Sequence, residues 1–144
     1  MRSLAILLLM VSLCASAQEP NAPQAAIEQY FDHFNKKNKR ALVEVTDSPF
    51  VFVIGGQVNT FSSYGDAVNF RGMEASGWAY SELHSNKLIY ADESTAMVAV
   101  NFSRYNESNE PIATSSVVYL LVHDSGRWKL KAGFVNDNLT LGKD

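Results

Sequence analysis

The sequence predicts an α+β domain in which three short helices cover one face of a strongly curved antiparallel sheet. Helical periodicity and capping residues occupy the first half of the domain. Long strand-like runs, separated by turn residues, fill most of the remainder. Helices followed by consecutive strands are typical of α+β domains, whose helices gather on one face of the sheet.

The helices are predicted from apolar spacing and from residues that cap or open a helix. Pro23 is placed to open the first helix, because proline is favoured at the first helical position. Asn38 is placed to cap a short second helix, and Ser62 or Ser63 a third that ends at Gly72. The apolar stripe of the first helix, at helical spacing, is Ile27, Tyr30, Phe31 and Phe34.

The strands are predicted from β-branched and aromatic runs bounded by turns. Gly55 and Gly56 form a two-residue hairpin turn, and the last hairpin turns at residues 124–126. Both faces of the later strands are largely apolar, although helices can cover only the concave face. A second copy of the chain is therefore predicted to cover the other face, giving a homodimer. The predicted strands are residues 50–54, 57–60, 78–90, 95–105, 114–123 and 127–135.

The first 17 residues have the three parts of a cleavable signal peptide. Arg2 is basic, residues 4–13 are almost wholly apolar, and residues 15–17 read Ala-Ser-Ala. The apolar run is shorter than the roughly 20 residues that span a bilayer. We therefore expect residues 1–17 to be a signal peptide, residues 18–144 a single domain, and the product to be exported, either periplasmic or secreted. Cys14, the only cysteine, would leave with the signal.

Charge and motif content exclude several classes of partner. The formal net charge is −3, whereas nucleic-acid binding favours a basic face. No segment after the apolar N-terminal run is long enough to be a membrane span. The three histidines lack metal-binding spacing, and no nucleophile-elbow or phosphate-loop motif occurs. The sequence therefore predicts no nucleic-acid partner, no membrane span, no metal and no cofactor.

Three stretches of the domain resemble the nuclear transport factor 2-like superfamily, and within it the small bacterial SnoaL-like proteins. The stretches are AIEQYFDHFNKKNKRALVEV (residues 26–45), MVAVNFSRYNESNEP (97–111) and YLLVHDSGRWKLKAGF (119–134). The resemblance implies a cone, of the kind also called cystatin-like, that encloses an apolar pocket. The superfamily includes isomerases, dehydratases, cyclases and transport factors, so the resemblance by itself leaves the activity open.

The ketosteroid isomerase branch offers a residue-by-residue comparison. Tyr30 falls where that branch keeps a tyrosine that hydrogen-bonds a substrate oxygen, and Tyr119 falls near a second such donor. The position of its general base is occupied here by Ile54 or Gly55. Neither can accept a proton, and proton abstraction next to a carbonyl needs a base. The comparison therefore argues against steroid-isomerase chemistry.

A ligand site is expected inside the cone if the face that carries Tyr119 is the concave one. A few polar groups in a mostly apolar cavity suit a small, mostly hydrophobic ligand. The alternative is that the tyrosines are core residues whose hydroxyls are satisfied within the fold. The candidate ligand-binding residues are Tyr30, Phe34, Trp78, Asn101, Ser103, Tyr119 and Trp128.

Three functions remain open from the sequence. The preferred one is an exported domain that binds a small apolar molecule or a protein partner without catalysis. The alternative is a SnoaL-like lyase, cyclase or isomerase, in which Tyr30 and Tyr119 polarise a substrate oxygen and His84 or Asp66 serves as the base. A third is an interaction module with a filled core. His84 and Glu82, two residues apart in a strand, share one face and are interpreted as a surface pair.

Overall fold

The computed structural model describes residues 19, 21–135, 139 and 141–142. The predicted signal peptide lies outside the described residues, so the boundary between signal and domain stays a prediction. Four helices and six strands make up the described part of the chain. They are α1 (Pro23–Asn35), α2 (Lys39–Val45), β1 (Thr46–Ile54), β2 (Gln57–Phe61), α3 (Tyr64–Ala67), α4 (Phe70–Ala75), β3 (Tyr80–Ala91), β4 (Thr95–Tyr105), β5 (Pro111–Asp124) and β6 (Arg127–Val135).

The first two helices form as their sequences predict. The apolar stripe of α1 is buried, and Pro23 occupies its first turn. Asn38 caps α2, since its side-chain oxygen accepts a hydrogen bond from the backbone N–H of Ala41 at 3.1 Å. α2 ends at Val45, and β1 follows at once with Thr46, several residues earlier than predicted.

The predicted third helix is two short helices, so that prediction was wrong in detail. Ser63 caps α3 in a capping box with Asp66. Val68 and Asn69 then adopt extended backbone conformations, which end α3. Asn69 starts α4 by accepting a hydrogen bond from the backbone N–H of Gly72 at 3.2 Å. Gly72 therefore lies inside α4 instead of ending a helix.

The six strands form one curved sheet in the order β2-β1-β6-β5-β4-β3. Neighbouring strands are antiparallel except β1 and β6, which run parallel. Parallel strands need a long crossover connection, and here the chain from β2 through β5 connects β1 to β6. β4 and β6 have the predicted bounds, β3 begins two residues later than predicted, and β5 begins three residues earlier.

The core lies between the helices and the concave face of the sheet. Val98 and Phe102 of β4 and Tyr119 of β5 point into it, and each is at most 4% exposed. Residues of opposite parity, such as Ala99 and Val118, lie on the outer face and are only half-buried. The face that carries Tyr119 is therefore the concave one. None of the helices in the described part of the chain is both long and apolar enough to cross a membrane.

Candidate functional site

Three tyrosines from different elements meet inside the cone. The hydroxyl oxygens of Tyr30 and Tyr64 lie 2.5 Å apart, and the rings of Tyr30 and Tyr119 have centroids 5.6 Å apart. Each side chain is at most 3% exposed. Burial is the main cause that raises the pKa of all three hydroxyls above the ordinary value, since a buried phenolate loses its hydration. At neutral pH these hydroxyls are protonated and can donate hydrogen bonds.

Arg104 brings a positive charge to the same region. It follows Phe102 by two positions on β4, so its side chain enters the concave face. The residue is only 6% exposed. Desolvation lowers the pKa of its guanidinium, but arginine keeps its charge under all conditions at which a protein is folded. The inner polar groups are thus three hydroxyl donors and a cation.

The space among the inner aromatic side chains is almost filled. A cavity of about 10 Å³ remains there, room for about one water molecule. Its lining includes Tyr30, Phe34, Arg104, Tyr119 and Leu139. The pocket expected at this position is therefore largely occupied by the packed rings.

A larger cavity adjoins it and shares Arg104 and Leu139 with it. Its volume is about 210 Å³. Trp78 forms part of its wall and is 3% exposed, and the indole N–H donates to Ser81 Oγ at 3.0 Å. The described residues that line this cavity, called the Trp78 cavity below, are Met73, Ser76, Trp78, Arg104, Ile112, Ala113, Ser115 and Leu139.

The structure brings together only some of the residues predicted from the sequence to bind a ligand. Tyr30, Phe34 and Tyr119 line the small inner cavity, and Trp78 lines the larger one. Trp128 lies elsewhere, between α1 and the start of β6, where it lines a separate cavity of about 240 Å³.

Asn101 and Ser103 lie on the outer face of the sheet, because they alternate with the inward residues of β4. Asn101 Nδ2 donates to Ser116 Oγ at 3.1 Å. Ser103 Oγ lies 2.7 Å from Thr114 Oγ1 and 2.8 Å from His84 Nε2. These two residues therefore do not share a site with Tyr30 and Tyr119.

Sequence reasoning missed Arg104, Tyr64 and Ser115. A signal for Arg104 was present, since it continues the inward series of alternate residues from Ala96 to Phe102. A charged residue on an otherwise apolar strand face marks a polar group that the core must accommodate. Tyr64 gave no such signal, because its hydroxyl partner Tyr30 is 34 positions away.

His84 and Asp66, the residues considered as a catalytic base, lie at the outer face and in the cap of α3. His84 Nδ1 lies 3.9 Å from Glu82 Oε1 at the outer face, as the predicted surface pair. The Asp66 carboxylate accepts hydrogen bonds from the Ser63 backbone N–H and hydroxyl, as a cap of α3. Among the described residues, no group of three or more histidine, cysteine, aspartate or glutamate side chains is placed to hold a metal.

The outer face of the sheet carries a wide apolar groove of about 410 Å³. Phe134 of β6 stands in its wall and is 43% exposed. The groove, called the outer groove below, is lined by Ser85, Lys87, Ala99, Val100, Asn101, Ser116, Val117, Val118 and Phe134.

Solved structures with the same fold are numerous. A putative ketosteroid isomerase from Shewanella frigidimarina has a TM-score of 0.61 and 11% identity, over 81% of this chain and 96% of that one. An NTF2-like protein with a cystatin-like fold from Novosphingobium aromaticivorans has a TM-score of 0.63 and 13% identity, over 83% and 82% of the two chains. An NTF2-like protein from Cytophaga hutchinsonii has a TM-score of 0.59 and 15% identity, over 78% and 92%.

At these identities the structural likeness establishes the fold alone, and it confirms the α+β, cystatin-like cone expected from the sequence. No curated protein has a significant sequence match to this chain. The model of one family does match, over residues 19–138. The chain therefore belongs to the NTF2-like proteins of the family DUF6841.

Proposed function

We propose that this protein binds a small, mostly apolar ligand in the Trp78 cavity and does not transform it. The observation that carries the proposal is the cavity itself, about 210 Å³ with apolar walls and a few polar groups. An apolar protein cavity of about 150 Å³ is large enough to bind benzene. The Trp78 cavity is therefore large enough for a single-ring molecule with a substituent.

The polar groups near the cavity favour binding over catalysis. The inner tyrosines are protonated at neutral pH because burial raises their pKa, so Tyr30 and Tyr119 do not supply a base. Proton abstraction would need an acceptor placed at the ligand. The two candidate bases are positioned elsewhere, Asp66 in the cap of α3 and His84 on the outer face. These placements support a binder over the alternative lyase, cyclase or isomerase.

The outer groove supports a homodimer as the working form of this binder. An isologous interface needs a surface that is complementary to itself. On the outer face, the partly exposed apolar side chain of Phe134 lies beside the apolar part of the outer groove that includes Ala99 and Val118. A second copy turned about a two-fold axis would insert each Phe134 into the groove of its partner.

The two tryptophans of the chain give a direct test of the ligand site. In Trp128→Phe, Trp78 is the only tryptophan, and titration with benzyl alcohol should give a saturable change in its fluorescence. Trp78→Phe is the matched control, in which Trp128 reports on the cavity near α1. No change in either variant, or a change at Trp128 alone, would contradict the proposed site.

Export is the third part of the proposal, supported by the pattern of residues 1–17. Expression of the full chain in an exporting bacterial host should yield a product that begins at Gln18. The intact mass of the purified protein measures this directly. Native mass spectrometry of the same sample would also reveal a retained small molecule as mass lost on denaturation. An unprocessed chain that stays in the cytoplasm would contradict export.

A further inference from the structure

We propose that the ligand of the Trp78 cavity is a carboxylate, with its anionic group at Arg104 and a single-ring apolar body against Trp78. This inference rests on the proposed ligand-binding function and adds the chemical class of the ligand.

The charge of the cavity favours an anion. Of the described residues that line the cavity, Arg104 alone carries a formal charge. A guanidinium presents several N–H donors in a fixed planar fork that matches the two oxygens of a carboxylate. The residue is 94% buried, and electrostatic attraction is stronger in such surroundings than in water. An anionic group therefore gains more here than a neutral one.

A hydroxyl donor lies beside this charge. Arg104 is opposite Ala113 in the ladder between β4 and β5, and Ser115 is two residues farther along β5 on the same concave face. Arg104 and Ser115 are thus diagonal neighbours, a separation that a long side chain spans. Ser115 is 5% exposed and lines the same cavity. A carboxylate at this position would meet both a guanidinium and a hydroxyl.

The remaining walls suit a flat apolar body. Trp78 is fixed by its neighbours, since its ring stacks on Phe70 at 5.8 Å and meets Phe34 edge to face at 5.4 Å. Met73 and Leu139 supply further apolar surface. Side chains that are already held in place lose little entropy when a ligand arrives. The wall is therefore prepared for a ring before binding.

The volume limits the size of this ligand. The Trp78 cavity has a volume of about 210 Å³. A cavity of roughly 150 Å³ accommodates benzene, so the remaining space fits a small substituent on the ring. Benzoate, a ring with one carboxylate, has the size and charge that these features select. Fused-ring or longer molecules would need the walls to move.

The test compares three probes of one size and different charge at neutral pH. Benzoate, benzyl alcohol and benzylamine are titrated into the full chain by calorimetry, and into Trp128→Phe by Trp78 fluorescence. We expect benzoate to bind at least about tenfold more tightly than benzyl alcohol, the factor expected for one additional hydrogen bond between charged groups. Benzylamine should bind most weakly.

Variants then assign the preference to Arg104. Arg104→Met should abolish the preference for benzoate, while Arg104→Lys should keep part of it because the charge remains. Arg40→Met is the matched control, since the Arg40 side chain is 92% exposed on α2, and it should leave all three affinities unchanged. Ser115→Ala should weaken the binding of benzoate several-fold and leave the affinity for benzyl alcohol unchanged. This second variant keeps the test usable if Arg104→Met does not fold.

The outcomes separate the two proposals. If benzyl alcohol binds as tightly as benzoate, or if folded Arg104→Met keeps the preference, the carboxylate inference is overturned while the ligand site stands. If no probe binds, both the inference and the proposed ligand site are overturned.

Discussion

The hydroxyl oxygens of Tyr30 and Tyr64 lie 2.5 Å apart and join α1 to α3 inside the cone. Both residues are at most 3% exposed, so neither hydroxyl has ready access to bulk water. The ring of Tyr30 also packs against the ring of Tyr119 on β5, with centroids 5.6 Å apart. The Tyr30–Tyr64 hydrogen bond and this ring contact therefore connect a long helix, a short helix and the sheet at one point.

Removing one hydroxyl of this pair should destabilise the protein. Tyr30→Phe and Tyr64→Phe should each lower the free energy of unfolding by about 1–3 kcal/mol, because the remaining buried hydroxyl loses a partner. The double variant should lose less than the sum of the two. Urea denaturation measures all three. Tyr80→Phe is the control, because the Tyr80 hydroxyl donates to Asn109 at the surface. This variant should change the free energy of unfolding by about 0.5 kcal/mol or less. Strict additivity would contradict the coupling.

The buried tyrosines also predict how stability depends on alkaline pH. Their pKa values are raised in the folded state, chiefly by burial, so the folded state favours the protonated form. The stabilisation is fully present below the unfolded pKa of about 10 and falls as pH rises above it. Tyrosinate absorbance should show Tyr30, Tyr64 and Tyr119 ionising only as the protein unfolds. Free ionisation of all six tyrosines in the folded state would contradict their burial.

The turn between β3 and β4 predicts an acid dependence of its own. The Asp92 carboxylate accepts hydrogen bonds from the Tyr90 hydroxyl, from both donors of Ser94 and from the Thr95 backbone N–H. Led by the Tyr90 bond, they lower the pKa of Asp92 to about 2. A depressed pKa stabilises the fold above the unfolded pKa of about 3.9, and this stabilisation is lost as pH falls through about 2.

Asp92→Asn removes that titration and should flatten this part of the acid profile. Denaturation at successive pH values measures the profile, and carbon-detected NMR of the unaltered protein gives the pKa of Asp92 itself. Superimposable profiles of the two proteins, or an Asp92 that titrates near 4, would show that the turn does not bind the carboxylate in this way.

The strands show how far the fold follows from sequence. The turns that flank β4 and β6 predicted where these strands begin, because turn residues interrupt a run of β-branched and aromatic residues. The split between α3 and α4 was missed, since it depends on the side-chain cap at Asn69. That cap competes with continuation of the helix, and residue types alone do not reveal which arrangement wins.

The site was harder to predict than the fold. Parity separates the two faces of a strand, but it does not say which face is concave or which partners meet there. Asn101 and Ser103 were grouped with Tyr119 although their partners, Ser116 and Thr114, lie on the outer face. Trp128 was grouped with it by residue type alone, and the register of β6 places it at the other end of the core. The turn sets the register of this hairpin, but it does not determine which residues of other elements pack against each end of it.

Gly133 of β6 lies close to two core side chains, Phe52 and Tyr119. It lies opposite Tyr119 in the ladder, and a Cβ at this position would come 2.7 Å from Phe52 Cε1 and 3.3 Å from Tyr119 Cε1. Gly133→Ala should therefore lower the free energy of unfolding by about 1–3 kcal/mol, the usual cost of overpacking. In a Phe52→Leu background the same change should cost less, because the smaller side chain leaves room. An equal cost in both backgrounds, measured by urea denaturation, would place the strain elsewhere.

Phe134 gives the sharpest test of the proposed dimer. Sedimentation of the unaltered protein should show a concentration-dependent dimer. Phe134→Asp should shift it to the monomer, since a buried unpaired carboxylate in an apolar interface is costly. Val58→Asp is the matched control, because Val58 is apolar and 67% exposed on the edge strand β2, outside the outer groove. It should remain dimeric. A monomer at every concentration, or dissociation by Val58→Asp but not by Phe134→Asp, would move the interface away from the groove.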